Sequence, residues 1–275
     1  MELDLSALPR VIDVGGVRVE TSGDLSDASR AALVASWSPG AQQSRSTTRL
    51  IAELQRQGYP VVLCSTSEAV GPLRFHPAEE LDADRLTVLR RPNIGYDFGS
   101  WAVMMDRFPQ LLDRDRVLVV NDSLVGPFAS LTDVIADFES TSADVWGMTE
   151  SGQFTSHLQS FFRGFRYGSL AEPVMRDFWA DVRVIDDKRD LIAAYEYGFA
   201  ARLREWHFSG ACFVDHREIV SRPDNPTLVG WRRLLDAGVP FVKRELVCRP
   251  ELAPDGGDVP AELARRYGVD LADWL

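Results

Sequence analysis

The sequence is short of the features that would assign it at a glance. Its 275 residues include three cysteines, Cys64, Cys212 and Cys248, odd in number and widely spaced. That pattern implies neither a disulfide framework nor a zinc site, and reduced, mostly buried thiols are expected. Positive charge is in deficit, with 30 Lys and Arg against 41 Asp and Glu, for a formal net charge of -11. Such a balance argues against a nucleic-acid groove and against electrostatic docking on anionic lipid. No apolar run approaches the roughly 20 residues that a membrane-spanning helix needs. The start, Met1-Glu2-Leu3-Asp4, has neither the basic nor the apolar region of a signal peptide, so a cytoplasmic protein is expected. Gly-x-Gly-x-x-Gly and the P-loop signature are missing too, which disfavours dinucleotide oxidoreductases and P-loop NTPases.

What is present is ordinary globular material, 45% hydrophobic and 26% charged. Short apolar runs at 31–35, 61–64, 86–89, 117–120 and 145–149 read as buried strands. Stretches with helical spacing at 47–56 and 131–138 lie between them. This alternation predicts an α/β fold with a mostly parallel sheet and right-handed crossovers. Residues 11–19 around Gly15-Gly16 read as a hairpin, and 157–165 as a strand. Helical patches follow at 173–180 and 189–205, then a loop at 221–227 and a short helix at 231–237. A last strand is expected at 241–247, and a tail from 250 ends in an amphipathic helix. One domain over 1–275 is expected, with halves at 31–150 and 151–250 and a helical tail at 251–275.

Ligands of open α/β sheets sit beyond the carboxyl ends of strands. Two polar strand exits lie close together here: Asn93-Ile94-Gly95-Tyr96-Asp97, and Asn121-Asp122-Ser123 after Val117–Val120. Asn and Gly permit the left-handed backbone that brings a chain close to a ligand. Asp97 is placed either to accept a hydrogen bond from a base or ribose or to cap the helix that follows. Asp122 is placed either as a hard oxygen ligand for Mg²⁺ or Mn²⁺ or as a turn residue. Ser36 and Ser65 leave earlier strands. Glu196, between Tyr195 and Tyr197, is either a solvated helix residue or a partly desolvated general base. His157 and Gln159 share a strand face, as acceptor contacts, with His157 also a candidate metal ligand. Lys243 and Arg244 are either a salt-bridged pair or diphosphate partners, and Trp146 either core or a sugar-stacking surface.

Six segments, in order from about residue 90 to 250, resemble the rhamnan synthesis protein F family of bacterial polysaccharide glycosyltransferases. They are 93–101, 120–127, 144–149, 157–162, Asn225-Pro226-Thr227 with Trp231, and 239–246. The resemblance implies a GT-A-like, Rossmann-type fold with a mostly parallel sheet flanked by helices and an elaborated C-terminal half. It implies a nucleotide-sugar-binding half over 31–150 and an acceptor half over 151–250. The reaction implied is transfer of a sugar, often rhamnose, from a nucleotide diphosphate donor to a glycan or lipid-linked glycan. On that pattern Glu196 is the catalytic base of an inverting displacement. The donor is lined by Ser36, Ser65, Asn93, Gly95, Asp97, Asn121, Asp122, Ser123, Lys243 and Arg244, and the acceptor by His157, Gln159 and Trp146. Asp122 holds the divalent cation. Asn121 and Ser123 stand where Asp-x-Asp has its outer acids, and Leu228 where a histidine is expected in many members. Those departures leave metal dependence open. Alternative readings are a retaining transferase acting on a small molecule and a non-catalytic glycan- or nucleotide-binding module. Association with the inner membrane face through a partner is a further expectation.

Overall fold

The computed structural model describes residues 5–26 and 29–275; the targeting-relevant stretch 1–4 lies outside them. Among the described residues, nine strands form one sheet: β1 (Arg18–Thr21), β2 (Arg30–Ser36), β3 (Val61–Ser65), β4 (Leu86–Arg90), β5 (Arg116–Asn121), β7 (Val145–Ser151), β8 (His157–Leu158), β9 (Phe162–Arg166) and β10 (Gly210–Val214). The two remaining strands, β6 (Leu124–Val125) and β11 (Val242–Lys243), pair antiparallel with each other. Along the sheet the order is β1-β4-β3-β2-β5-β9-β7-β10, with β8 on β7.

β4, β3, β2 and β5 are mutually parallel. β9 reverses between β5 and β7, and β7 and β10 again run parallel to each other. The mostly parallel α/β architecture read from the strand–helix alternation is therefore present. The parallel strands are unbroken apolar runs because both faces are covered. Ala31, Leu33 and Ala35 of β2 face one core, with Phe98, Trp101 and Trp179. Ala32 and Val34 face the other, with Leu50, Ile51, Leu54 and Phe138.

Helices flank both faces: α1 (Arg45–Arg56), α2 (Tyr96–Arg107), α3 (Thr132–Ser140), α4 (Pro173–Ala180), α5 (Lys188–Ile192) and α6 (Gly198–Glu205). α1 starts where the Ser44 side chain caps the Thr47 N–H and stops before Gly58, whose φ is +89°. A second, smaller unit packs α8 (Pro226–Val229), α9 (Trp231–Asp236), α10 (Arg244–Cys248) and α11 (Val259–Tyr267) beside β6 and β11, while α7 (His216–Ile219) packs against β7. A third core, around Trp231, Leu246, Leu263 and Trp274, lies there. No helix among the described residues is long and apolar enough to cross a membrane.

Three local expectations are corrected. Residues 11–19 form no hairpin: Val11–Asp13 is a 3-10 turn and β1 pairs with β4 instead. The strand expected over 157–165 is two strands, β8 and β9, with residues 159–161 between them. The strand expected at 241–247 is only β11, after which the chain turns into α10. Within α10 Leu246 is buried while Glu245 and Cys248 are exposed, so one face of this short helix meets the core.

Candidate functional site

The chain's first parallel strand, β2, lies between β3 and β5, so successive connections leave in opposite directions at the β2/β5 seam. Such a reversal opens a crevice at the carboxyl ends of the strands. A cleft of about 1210 Å³ opens there. At the seam itself, the Trp37 N–H, one residue past β2, donates to Asp122 Oδ2, one residue past β5, at 2.9 Å. The two strand exits are thereby joined.

Asn121 organises the floor of the cleft. Its Nδ2 donates to Asp97 Oδ2 at 2.6 Å, and its Oδ1 accepts from the Ser123 N–H at 3.0 Å and the Ser123 hydroxyl at 2.6 Å. Asp97 sits in the first turn of α2, and the residue at the helix cap is Gly95, in the left-handed region with φ 70°. A Cβ at Gly95 would lie 2.8 Å from Val11, so glycine serves both the turn and the packing. Burial, then the nearby charge of Asp122, pushes the Asp97 carboxyl up to about 7. Burial also raises Asp122, opposed by the Trp37 N–H and by Arg244.

Cations close the cleft from the other unit. Arg244 donates through Nε to the Asp122 carbonyl at 3.1 Å, and its backbone N–H donates to the Ser123 carbonyl at 2.9 Å. The Lys243 ammonium lies 5.2 Å from the centre of the Phe161 ring, and burial lowers its pKa. Glu196, which lines the same cleft and whose charge acts on Lys243, sits in a π-helical turn, Ala193–Tyr197, between α5 and α6. Such turns are frequent at functional sites. Glu196 Oε1 accepts from the Ser160 N–H at 2.8 Å and lies 3.9 Å from His157 Nε2. Nδ1 of His157 is 2.8 Å from the Thr155 carbonyl, and burial lowers the imidazole's pKa. Gln159 accepts from the Thr149 hydroxyl at 2.7 Å and donates to Asn225 Oδ1 at 3.2 Å. Behind them the fully buried Arg163 donates to the Leu158 carbonyl at 2.7 Å; burial holds its pKa down to about 10.

One cleft thus gathers Asp97, Asn121, Asp122, Ser123, His157, Gln159, Glu196, Lys243 and Arg244. Other expected site residues lie elsewhere. Trp146 is fully buried in the sheet, its Nε1 on Asp137 at 2.8 Å and its ring 5.5 Å from Phe138, so it offers no stacking surface. Ser36 is buried and donates to Gln43 at 3.2 Å, and Ser65 is buried and accepts from the Ser67 N–H. Asn93 is exposed and lines a separate cavity of about 530 Å³. The sequence reading missed Trp37, half-exposed at the seam, and Lys188, both of which line the cleft. Trp37's only signal was its place one residue past a buried strand. A further group, Glu150, Asp215 and His216, has ligand atoms all within 4.8 Å of one another and could hold a metal ion.

The chain spans 61% or less of the length of the curated relatives it matches. It is 30% identical over 193 residues to the virulence protein VirA of Vibrio anguillarum, covering 58% of this chain and 61% of that protein. It is 27% identical over 167 residues to the uncharacterized protein y4gN of Sinorhizobium fredii, covering 57% and 44% respectively. Among solved structures, A197 from STIV aligns with a TM-score of 0.29 at 12% identity, over 52% of this chain and 68% of that one. The profile of rhamnan synthesis protein F matches residues 76–267, which contain most of the residues lining the cleft but not Trp37 and its neighbours or the C-terminal Asp273 and Leu275. That match takes in most of the chain, and the protein belongs to the rhamnan synthesis protein F family.

Proposed function

We propose that the protein is a GT-A-like glycosyltransferase that moves a sugar from a nucleotide diphosphate donor to a glycan or lipid-linked glycan. The observation that carries this reading is the arrangement of the cleft. A carboxylate-bearing seam between two parallel strand exits and a further carboxylate, Glu196, line one cavity. Family membership supports the same reaction class. At about 1210 Å³ the cleft exceeds the ~300–1000 Å³ that usually houses one small ligand, as a donor and an acceptor together require.

In this mechanism the diphosphate lies over Asp122, where Lys243 and Arg244 offset charge developing on the leaving group. The carboxylates of Asp97 and Asp122 suit a hard divalent ion such as Mn²⁺ or Mg²⁺, with Asn121 and Ser123 as neutral neighbours. Such an ion would supply further charge neutralisation on the diphosphate. Trp37, exposed at the seam, offers a face for the base or the sugar. Glu196, held by the Ser160 N–H, accepts the proton of the acceptor hydroxyl as it attacks the anomeric carbon, with inversion. His157 and Gln159 stand beside it to orient the acceptor. The chain is proposed to act as a single domain, in the cytoplasm or at the inner face of the membrane.

Thermal unfolding against UDP, GDP, dTDP and CDP, each with and without Mn²⁺ or Mg²⁺, tests this. A nucleotide at 100 times its dissociation constant adds about 2.7 kcal/mol of stability. A base-selective shift lost in Asp122→Ala is the expected result. No shift with any nucleotide removes the donor site and leaves a glycan-binding module as the better account.

A further inference from the structure

Outside the cleft, the topology brings a second set of ligating side chains together. β7 and β10 are neighbouring parallel strands in which Thr149 is registered with Val214. One residue further on, Glu150 therefore stands beside Asp215 at the carboxyl ends of the pair. Asp215 caps α7 by accepting from the Arg217 N–H at 2.8 Å, which makes His216 the first residue of that helix. The His216 ring is seated on Gly152: a Cβ there would lie 2.5 Å from Nε2. That seat leaves Nδ1 pointing at the two carboxylates.

The distances are informative. Nδ1 is 3.6 Å from Glu150 Oε2 and 3.6 Å from Asp215 Oδ1. Hydrogen bonds to oxygen fall at about 2.7–3.2 Å. Nδ1 is buried and has no hydrogen-bond partner among the described residues. Yet 3.6 Å is close to the edge of a coordination tetrahedron, since ligands about 2.1 Å from a zinc ion lie about 3.4 Å apart. The other contacts of the carboxylates leave room for this. Glu150 also accepts from the Ser156 hydroxyl through Oε1, and Asp215 is paired with Arg217, whose side chain is mostly exposed and free to move outward.

We propose that Glu150, Asp215 and His216 form a binding site for a borderline divalent cation, Zn²⁺ above all. One imidazole nitrogen, two carboxylate oxygens and an open fourth position are a donor set that zinc accepts. The ion ties the end of β7 to the start of α7. Ser151 and Gln153, on either side of Gly152, line the cleft, so the ion also fixes that stretch of its wall. This site is separate from any ion at Asp122 and does not depend on the transferase reading.

The test is calorimetric titration of Zn²⁺ into chelator-stripped, tag-free protein carrying Asp97→Asn and Asp122→Ala, which removes both carboxylates proposed for a cleft ion. The proposal expects one Zn²⁺ per chain in that doubly substituted protein, the background for the variants that follow. Adding His216→Ala is expected to weaken binding by more than the ~100-fold that changes in outer partners cost. Glu150→Gln, which retains an acceptor for Ser156, is expected to do the same and decides the matter if His216→Ala fails to fold. Absence of stoichiometric Zn²⁺ in the background protein, or binding that survives either Glu150→Gln or a folded His216→Ala, overturns the proposal. His216 would then be a histidine held between two acids.

Discussion

Asp97 is expected to weaken the fold that contains it, and Asp97→Asn should reveal by how much. Its carboxyl is raised from 3.8 to about 7, chiefly by burial and then by the charge of Asp122, with Lys188, Lys243 and Asn121 acting against the rise. A raised carboxyl pKa means that the folded chain holds a proton the unfolded chain has released. The resulting cost is absent below about pH 4, grows as pH rises toward 7, and is complete above it. At 1.36 kcal/mol per unit the full cost is at most about 4 kcal/mol. Asparagine keeps an acceptor for Asn121 Nδ2, which lies 2.6 Å from Asp97 Oδ2, and removes the charge. Urea unfolding at pH 5 and pH 8 should therefore show Asp97→Asn gaining on the wild type by a few kcal/mol between the two pH values. Groups that do not interact with Asp97 cancel in that difference. Under the proposed function the same variant binds a nucleotide donor more weakly, the usual relation between a strained site and stability. A stability difference that stays constant across this pH range, or turns toward the wild type as pH rises, would refute the reasoning.

Two further substitutions probe the scaffold behind the cleft. Gly164→Ala on β9 would place a Cβ 2.5 Å from Phe138 Cδ2 and closer still to Cε2. That ring is fixed against Trp146, so the variant should lose about 1–3 kcal/mol in urea unfolding; an unchanged midpoint would show that the sheet yields there. Ser46→Ala removes a hydroxyl that donates to the Gly126 carbonyl at 2.9 Å and accepts from its N–H at 3.0 Å. Leaving those buried groups unpaired should cost about 1–3 kcal/mol, and a loss under about 0.5 kcal/mol would mean that water replaces the hydroxyl.

The sheet was legible in the sequence because its parallel strands are covered on both faces, so β2, β3 and β5 are runs of apolar residues with abrupt polar ends. Covering both faces also hid information. Trp146 reads as a surface aromatic only if β7 has an outer face, and it has none. β10 escaped notice because Gly210, Ala211 and Cys212 make a weak, partly exposed edge strand. With β10 unread, nothing linked Asp215-His216 to Glu150, although an acid and a histidine at a strand exit were the available signal. The separate polar residues at the exits could be listed from sequence, but their joining could not. The Asn121–Asp97 and Trp37–Asp122 contacts span 24 and 85 positions and follow from strand order. Lys243 and Arg244 reach the cleft at a strand end that comes earlier than expected: β11 stops at Lys243, and α10 begins with Arg244, whose Nε bonds the Asp122 carbonyl.

The central claim, a donor seam and a base lining one cleft, turns on Glu196. Glu196→Gln keeps the oxygen that accepts from the Ser160 N–H at 2.8 Å, so the fold and the cleft should be retained. Turnover of the nucleotide-sugar donor and binding of its nucleotide, measured side by side on the wild type and this variant, separate chemistry from recognition. The account predicts turnover lower by about 10²–10⁴-fold with nucleotide affinity unchanged. Turnover within a few-fold of the wild type would contradict it.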